Sequence, residues 1–169
     1  AGHPDLMVAV NLSARQFQRG VVRKQVETAL GESGIPPSKL ELELTESVLM
    51  HDGELVTGAL RQLKALGVKL SIDDFGTGYS SFAYLRRFKF DKIKIDQSFV
   101  HDLIDDPDNA AIVRGIISLA QSLGLDVLAE GVENVAVAQR LKHLRCTYVQ
   151  GYYFSRPLRP ELFLERVNA

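Results

Sequence analysis

In LSIDDFGTGYSS, residues 70–81, two adjacent aspartates, Asp73 and Asp74, end an apolar run and lead into a loop with Gly76 and Gly78. Five other short apolar runs carry, at or near their ends, a residue able to hold a cation or move a proton: Asn11, Glu43, Lys94, Glu130 and Gln150. Glu43, Asp73 and Glu130, with Asp74 beside them and the amide of Asn11, form an all-oxygen set with no cysteine or histidine nearby in sequence. Such hard ligands suit Mg2+ or Mn2+ far better than zinc. Acids crowded on one cavity repel one another and take up protons unless cations neutralise them. Successive strand residues point to opposite faces, but a pair at the very end of a strand can bend into the loop. Asp73 and Asp74 could then both reach a pair of adjacent cations, the arrangement that serves in-line displacement at phosphorus.

Taken singly, each signal has a plainer reading. An Asp-Asp step at a strand end commonly caps a helix or sits in a solvated turn, and Gly76 and Gly78 could simply supply positive φ. A lysine such as Lys94 usually snorkels to water. Glu41, Glu43 and Glu46 could be an exposed acidic strand edge followed by a helix cap. It is their recurrence at successive strand ends that points to one site.

The elements that must position these residues follow from periodicity. With 169 residues, 46% hydrophobic and 24% charged, the chain reads as one globular domain with room for a substantial core. Short apolar runs alternate with helical patterns throughout. LMVAVN is a strand, followed by a helix over SARQFQRGVVRKQVETALG with Ser13 and Gln16 at capping-box spacing and Gly31 as its stop. KLELELTE precedes a helix carrying Leu60, Leu63 and Leu66, with Gly67 past its end. VKLSIDD leads through the glycine loop to a helix around SSFAYLRRF, with Ser80 or Ser81 as N-cap. DKIKID precedes NAAIVRGIISLAQSLG, whose Ile112, Ile116, Leu119 and Leu123 are expected to face a core. LDVLAEG, NVAVAQRLKHLR, YVQG and a last helix opened by Pro160 complete the series.

Six strand-helix units without a hairpin signal describe either a doubly wound parallel sheet or most of a (β/α)8 barrel. The barrel is favoured because it brings all six strand ends to one mouth, where barrel enzymes place their chemistry. A complete barrel takes about 250 residues, about 30 per unit. The chain is therefore expected to be three quarters of one, with about six of eight units present and two strands missing from its N-terminal side. Since it opens on AGHPDL without a methionine, it is expected to be an excerpt of a longer protein.

With 20 basic and 21 acidic residues, net charge −1, the domain as a whole is no electrostatic footprint for nucleic acid, and no DNA binding is expected. The single cysteine, Cys146, excludes an intrachain disulfide and suits a reducing compartment; it reads as a small, partly buried apolar residue. No apolar run reaches the length of a membrane span and no signal peptide is visible. A cytoplasmic domain is expected, in a parent protein free to be membrane-anchored.

NLSARQF, ELELTES, SIDDFGTGYSS, KIKIDQSFV, AEGVE and VQGYYFSRPL, in this order, resemble the EAL-domain family of bacterial cyclic di-GMP phosphodiesterases. The resemblance runs over nearly the whole chain, so residues 1–169 are expected to be one EAL domain, and it implies a TIM-barrel-like EAL fold that hydrolyses cyclic di-GMP to linear pGpG with two Mg2+ or Mn2+ ions. By that resemblance Asn11, Glu43 and Asp73 match metal ligands, Asp74 a metal ligand or water-holder at the second metal, Lys94 and Gln150 catalytic positions around the attacking water, and Glu130 either a ligand of the second metal or the catalytic general base. Glu46 matches the anchor of the DFGTGYSS loop, and Glu133 and Asp96 match accessory acids. The family's Glu-Ala-Leu signature, whose glutamate is a further metal ligand, lies on an earlier strand, so activity is expected only where the parent protein supplies it. The resemblance also implies a homodimer, and sensor, GGDEF-type or other regulatory domains in the parent chain. A non-catalytic module that binds cyclic di-GMP or a partner protein is the alternative.

Overall fold

The computed structural model describes residues 3, 6–18, 21–50, 53–78, 85 and 87–168. Its six strands are β1 (Val8–Leu12), β2 (Leu40–Thr45), β3 (Lys69–Phe75), β4 (Lys92–Ile95), β5 (Asp126–Ala129) and β6 (Tyr148–Val149). All neighbours are parallel, and the order across the sheet is the order along the chain, β1 to β6. A doubly wound sheet must reverse its strand order at a switch point. Here no reversal occurs, so right-handed crossovers stack the connecting helices on one face and leave the other face free to become a barrel interior.

The two faces differ chemically, as that winding requires. Leu42, Leu44, Leu70, Ile72, Ile93, Ile95, Val127 and Ala129 point outward and are at most 1% exposed, in one cluster with Val56, Leu60 and Leu63 of the helix Gly53–Ala65. The inward residues of the central strands β2, β3 and β4 are polar, among them Glu41, Glu43, Ser71, Asp73, Lys92 and Lys94. They are filled in layers drawn from alternate strands, as in closed barrels. Glu41 of β2 pairs with Lys92 of β4 at 2.6 Å, and that ammonium lies 5.1 Å from the ring centroid of Tyr148 on β6. The sheet stays open between β1 and β6 among the described residues, and Val8 and Val10 on the β1 edge are exposed.

The helices are α1 (Ala14–Gln18), α2 (Val22–Ser33), α3 (Glu46–Met50), α4 (Gly53–Ala65), α5 (Gln97–His101), α6 (Pro107–Leu123), α7 (Val135–His143) and α8 (Pro160–Asn168). Two expectations need correction. The stretch after β1 is two helices, not one, and Gly31 does not stop the second; α2 runs to Ser33 and ends on Gly34, whose φ of 66° places it in the left-handed cap conformation. Only the glycine at that position is needed for the turn. On α6 the buried stripe is Ala110, Val113, Ile116, Ile117 and Ala120, while Ile112 and Leu123 are exposed. Both stripes have helical spacing, and the one with small residues lets the helix sit closer to the sheet. The capping interaction at Ser13 is present: its N–H donates to Gln16 Oε1 at 2.9 Å. Ser80 and Ser81 lie outside the described residues. Among the described residues no helix is long and apolar enough to cross a membrane.

Asp91 knots the lower ends of three strands. Its carboxylate accepts from Lys64 Nζ at 2.7 Å, from Lys69 Nζ at 3.3 Å and from the Leu70 N–H at 2.8 Å, and its carbonyl accepts from the Asp126 N–H at 3.0 Å. Burial would raise its pKa, but the hydrogen bonds from Lys64 and Leu70 and the charges of Lys64 and Lys69 outweigh it and hold the group below the ordinary carboxylate value. A depressed folded pKa contributes stability above the unfolded value, about 3.9, and loses it as pH falls through the folded one. Asp91→Asn should therefore cost about 1–2 kcal/mol at pH 7. In urea unfolding, its deficit against the parent should narrow below about pH 4.

Candidate metal centre and active site

The two aspartates do not sit on a regular strand end. Ile72 pairs with Ile93 and Phe75 with Ile95, so β3 spends both Asp73 and Asp74 opposite the single residue Lys94. This bulge is made by Asp74, whose φ of 53° lies in the left-handed region that aspartate tolerates better than most residues. The Asp74 N–H donates to Asp73 Oδ1 at 3.1 Å, and its carbonyl accepts from the Thr77 hydroxyl at 2.8 Å. The strand period is interrupted for one residue. As a result, carboxylate oxygens of Asp73, Asp74 and Glu130 lie within 4.8 Å of one another, although Asp73 and Asp74 are adjacent in sequence.

Lys94 is the hub. Its ammonium donates to Glu43 at 2.7 Å, Asp73 at 2.8 Å and Glu130 at 2.9 Å, and the lysine is 5% exposed. Burial alone would lower its pKa, but the hydrogen bonds to Asp73, Glu43 and Glu130 raise it well above the ordinary lysine value. It stays charged across the working range of any enzyme. Burial raises the pKa of Glu130, and the charges of Asp73 and Glu43 add to the rise while Lys94 opposes it. Asp74 is likewise raised, first by burial, then by the charges of Asp73 and Asp96. One ammonium therefore faces more negative charge than it balances. The donor set is all oxygen, converging and under-neutralised, which fits a divalent cation.

The remaining expected residues surround this hub unequally. Asn11 is on the edge strand, paired in register with Glu43, and exposed. Asp96 caps α5, accepting from the Ser98 N–H at 2.9 Å, and lies close enough to Asp74 to raise its pKa. Gln150 follows β6, its N–H donating to the Ala129 carbonyl at 2.9 Å, and is exposed. With Asp74, Asp96, Glu130 and Glu133 it lines a cleft of about 280 Å3. Glu46 opens α3 and is 5% exposed, with neither carboxylate oxygen hydrogen-bonded among the described residues. A methyl group placed on Gly78 would meet its carboxylate at 3.3 Å, so it lies directly against the glycine loop. Glu41, Glu43 and Glu46 are thus buried, and the reading of an exposed acidic edge falls.

Two supports of the site were not singled out from the sequence. The Glu41–Lys92 pair lies below the hub; the alternation ELEL and KIKI was its signal, since charged residues facing a helix-covered core would be untenable. Gly151 is the other. A side chain there would collide with the backbone of Val132, whose N–H donates to the Gln150 carbonyl at 3.0 Å. Cys146 is partly buried, as expected, and burial raises its thiol to about 11.

Comparison with known proteins places this geometry. The family described as EAL domain matches residues 1–157. The chain is 45% identical over 166 residues to the bifunctional diguanylate cyclase/cyclic di-GMP phosphodiesterase MucR of Pseudomonas aeruginosa, covering 98% of this chain and 24% of that protein. It is 47% identical over 158 residues to the cyclic di-GMP phosphodiesterase NbdA of the same species, covering 94% of this chain and 20% of that one. The chain thus spans about a quarter or less of these relatives. Among solved structures, the PaMucR phosphodiesterase in complex with c-di-GMP superposes with a TM-score of 0.92 at 45% identity, over 96% of this chain and 66% of that one.

Replacing the hub tests the charge balance directly. Lys94→Met leaves Glu43, Asp73 and Glu130 facing one another without their shared cation, and in EDTA should cost about 3–5 kcal/mol. Added Mn2+ should recover part of that loss in thermal unfolding, and more in the variant than in the parent.

Proposed function

The chain belongs to the EAL domain family, and from that premise we propose that it hydrolyses one phosphodiester bond of cyclic di-GMP, yielding linear pGpG, by a two-metal mechanism. The observation that carries this reading is the convergence of Asp73, Asp74 and Glu130 beside the Lys94 hub at the carboxyl ends of the strands. Relatives named as cyclic di-GMP phosphodiesterases, and the c-di-GMP complex of a similar structure, support the substrate.

Asn11, Glu43, Asp73 and Asp74 would hold Mg2+ or Mn2+, with the signature-strand glutamate of the parent protein completing the set. When bound, the cations supply Lewis-acid charge to the phosphoryl oxygens and to the nucleophile. The chain's own residues do the rest. Lys94, held charged by its three carboxylates, offsets negative charge that builds on the phosphorus centre. Glu130, with its raised pKa, is poised to take a proton from the attacking water. Gln150 borders the same cleft and would orient that water through its amide. Glu133 and Asp96 add acids at the rim. Glu46 would anchor the glycine loop through Gly78 and its neighbours.

Residues 1–169 would be the C-terminal three quarters of the catalytic domain, acting in the cytoplasm within a larger signalling protein and as a homodimer. The intact carboxylate set speaks against a binding-only module.

Incubating the parent protein with cyclic di-GMP and Mn2+ should produce pGpG on anion-exchange chromatography; no product with any divalent cation would refute the proposal. Asp73→Asn should reduce kcat/KM by about 100-fold or more, and Glu46→Ala by about 10- to 100-fold with an unchanged fold.

A further inference from the structure

Arg61 and Lys64 of α4, with Arg87 and Lys89 from the segment before β4, line a cavity of about 220 Å3 at the end of β3 opposite the acids. Its floor is apolar: Leu60, Leu70 and Phe88 are buried at 1%, 0% and 7% exposure. Lys64 is committed to Asp91 at 2.7 Å, but Arg61, Arg87 and Lys89 make no ion pair among the described residues. In a chain of net charge −1 this is a local excess of cations, and they converge on a concavity. The Arg87 guanidinium lies 5.8 Å from the Phe88 ring centroid, at the boundary between apolar floor and basic rim. The cavity borders the central strand β3, away from both edge strands.

Two physical points narrow what would fit. Planar guanidinium groups match phosphate oxygens in paired hydrogen bonds, which favours a phosphate over a halide or a single carboxylate. Pockets for drug-sized ligands run from about 300 to 1,000 Å3, so this smaller one suits a compact ligand better than a dinucleotide. We infer that the cavity is a second anion site, taking a compact phosphomonoester whose phosphate sits among Arg61, Arg87 and Lys89 and whose small apolar body covers Leu60 and Phe88. The site is independent of the proposed hydrolytic centre and stands or falls separately.

The test uses protein stripped of divalent cations with EDTA, in which the acid cluster is anionic and repels phosphate. Inorganic phosphate and phenyl phosphate are titrated by calorimetry at constant ionic strength. Both should bind saturably, phenyl phosphate about tenfold more tightly because a ring face leaves water. The double variant Arg61→Gln/Arg87→Gln, altering exposed side chains, should keep its unliganded melting temperature and weaken both by about tenfold or more. Arg61→Lys/Arg87→Lys, which keeps the charge, should lose less than the Gln pair, and serves if the latter fails to fold. Unsaturable binding, equal affinity for the two probes, or affinity unchanged by either pair of substitutions would overturn the assignment.

Discussion

Everything in the sheet answers to one constraint: carboxylates on the inner face must have a cation. Lys94 meets it with three contacts of 2.7–2.9 Å from an ammonium that burial would otherwise discharge. The pair below it, Glu41 with Lys92, meets it a second time. An interior lined this way could not be a packed apolar core, because unpaired buried charge costs several kcal/mol per ion. The apolar core is displaced to the outer face, between sheet and helices, and the winding order of the strands makes that face available to the connecting helices. The hub still leaves negative charge in excess on the inner face, where Asp73, Asp74 and Glu130 cluster.

The strand-helix alternation, the parallel sheet and the convergence of the strand ends were legible because each rests on periodicity or on residues at element ends. The alternation in KLELELTE and KIKID also contained the two-faced sheet. What the sequence did not disclose was geometry with two local solutions. On α6 two apolar stripes satisfy the same helical spacing, and only packing against the sheet selects Val113 and Ile117 over Ile112 and Leu123. Gly31 and Gly34 are both plausible terminators by type, and only the backbone conformation distinguishes them.

The candidate site shows the same division. Residue types and their places at strand ends singled out Asp73, Lys94 and Glu130, which the structure brings into contact or close proximity. Asp96 was harder to weigh, since capping α5 and facing Asp74 are compatible uses of one carboxylate. The burial of Glu46 without a hydrogen-bond partner among the described residues could not be read from its spacing, because ELTES is equally consistent with a solvated helix start.

The bulge at Asp73 and Asp74 sets how such a site can arise or vanish. Phe75 resumes the ladder on the apolar face opposite Ile95, so strand residues on either side of the bulge keep the faces a regular strand would give them. Losing one codon there would leave an unbroken ladder and the same outer core, with one carboxylate fewer in the cleft. The second acid thus depends on chain length as well as on residue identity. The sheet and the second carboxylate are separable in this protein by a single-residue deletion.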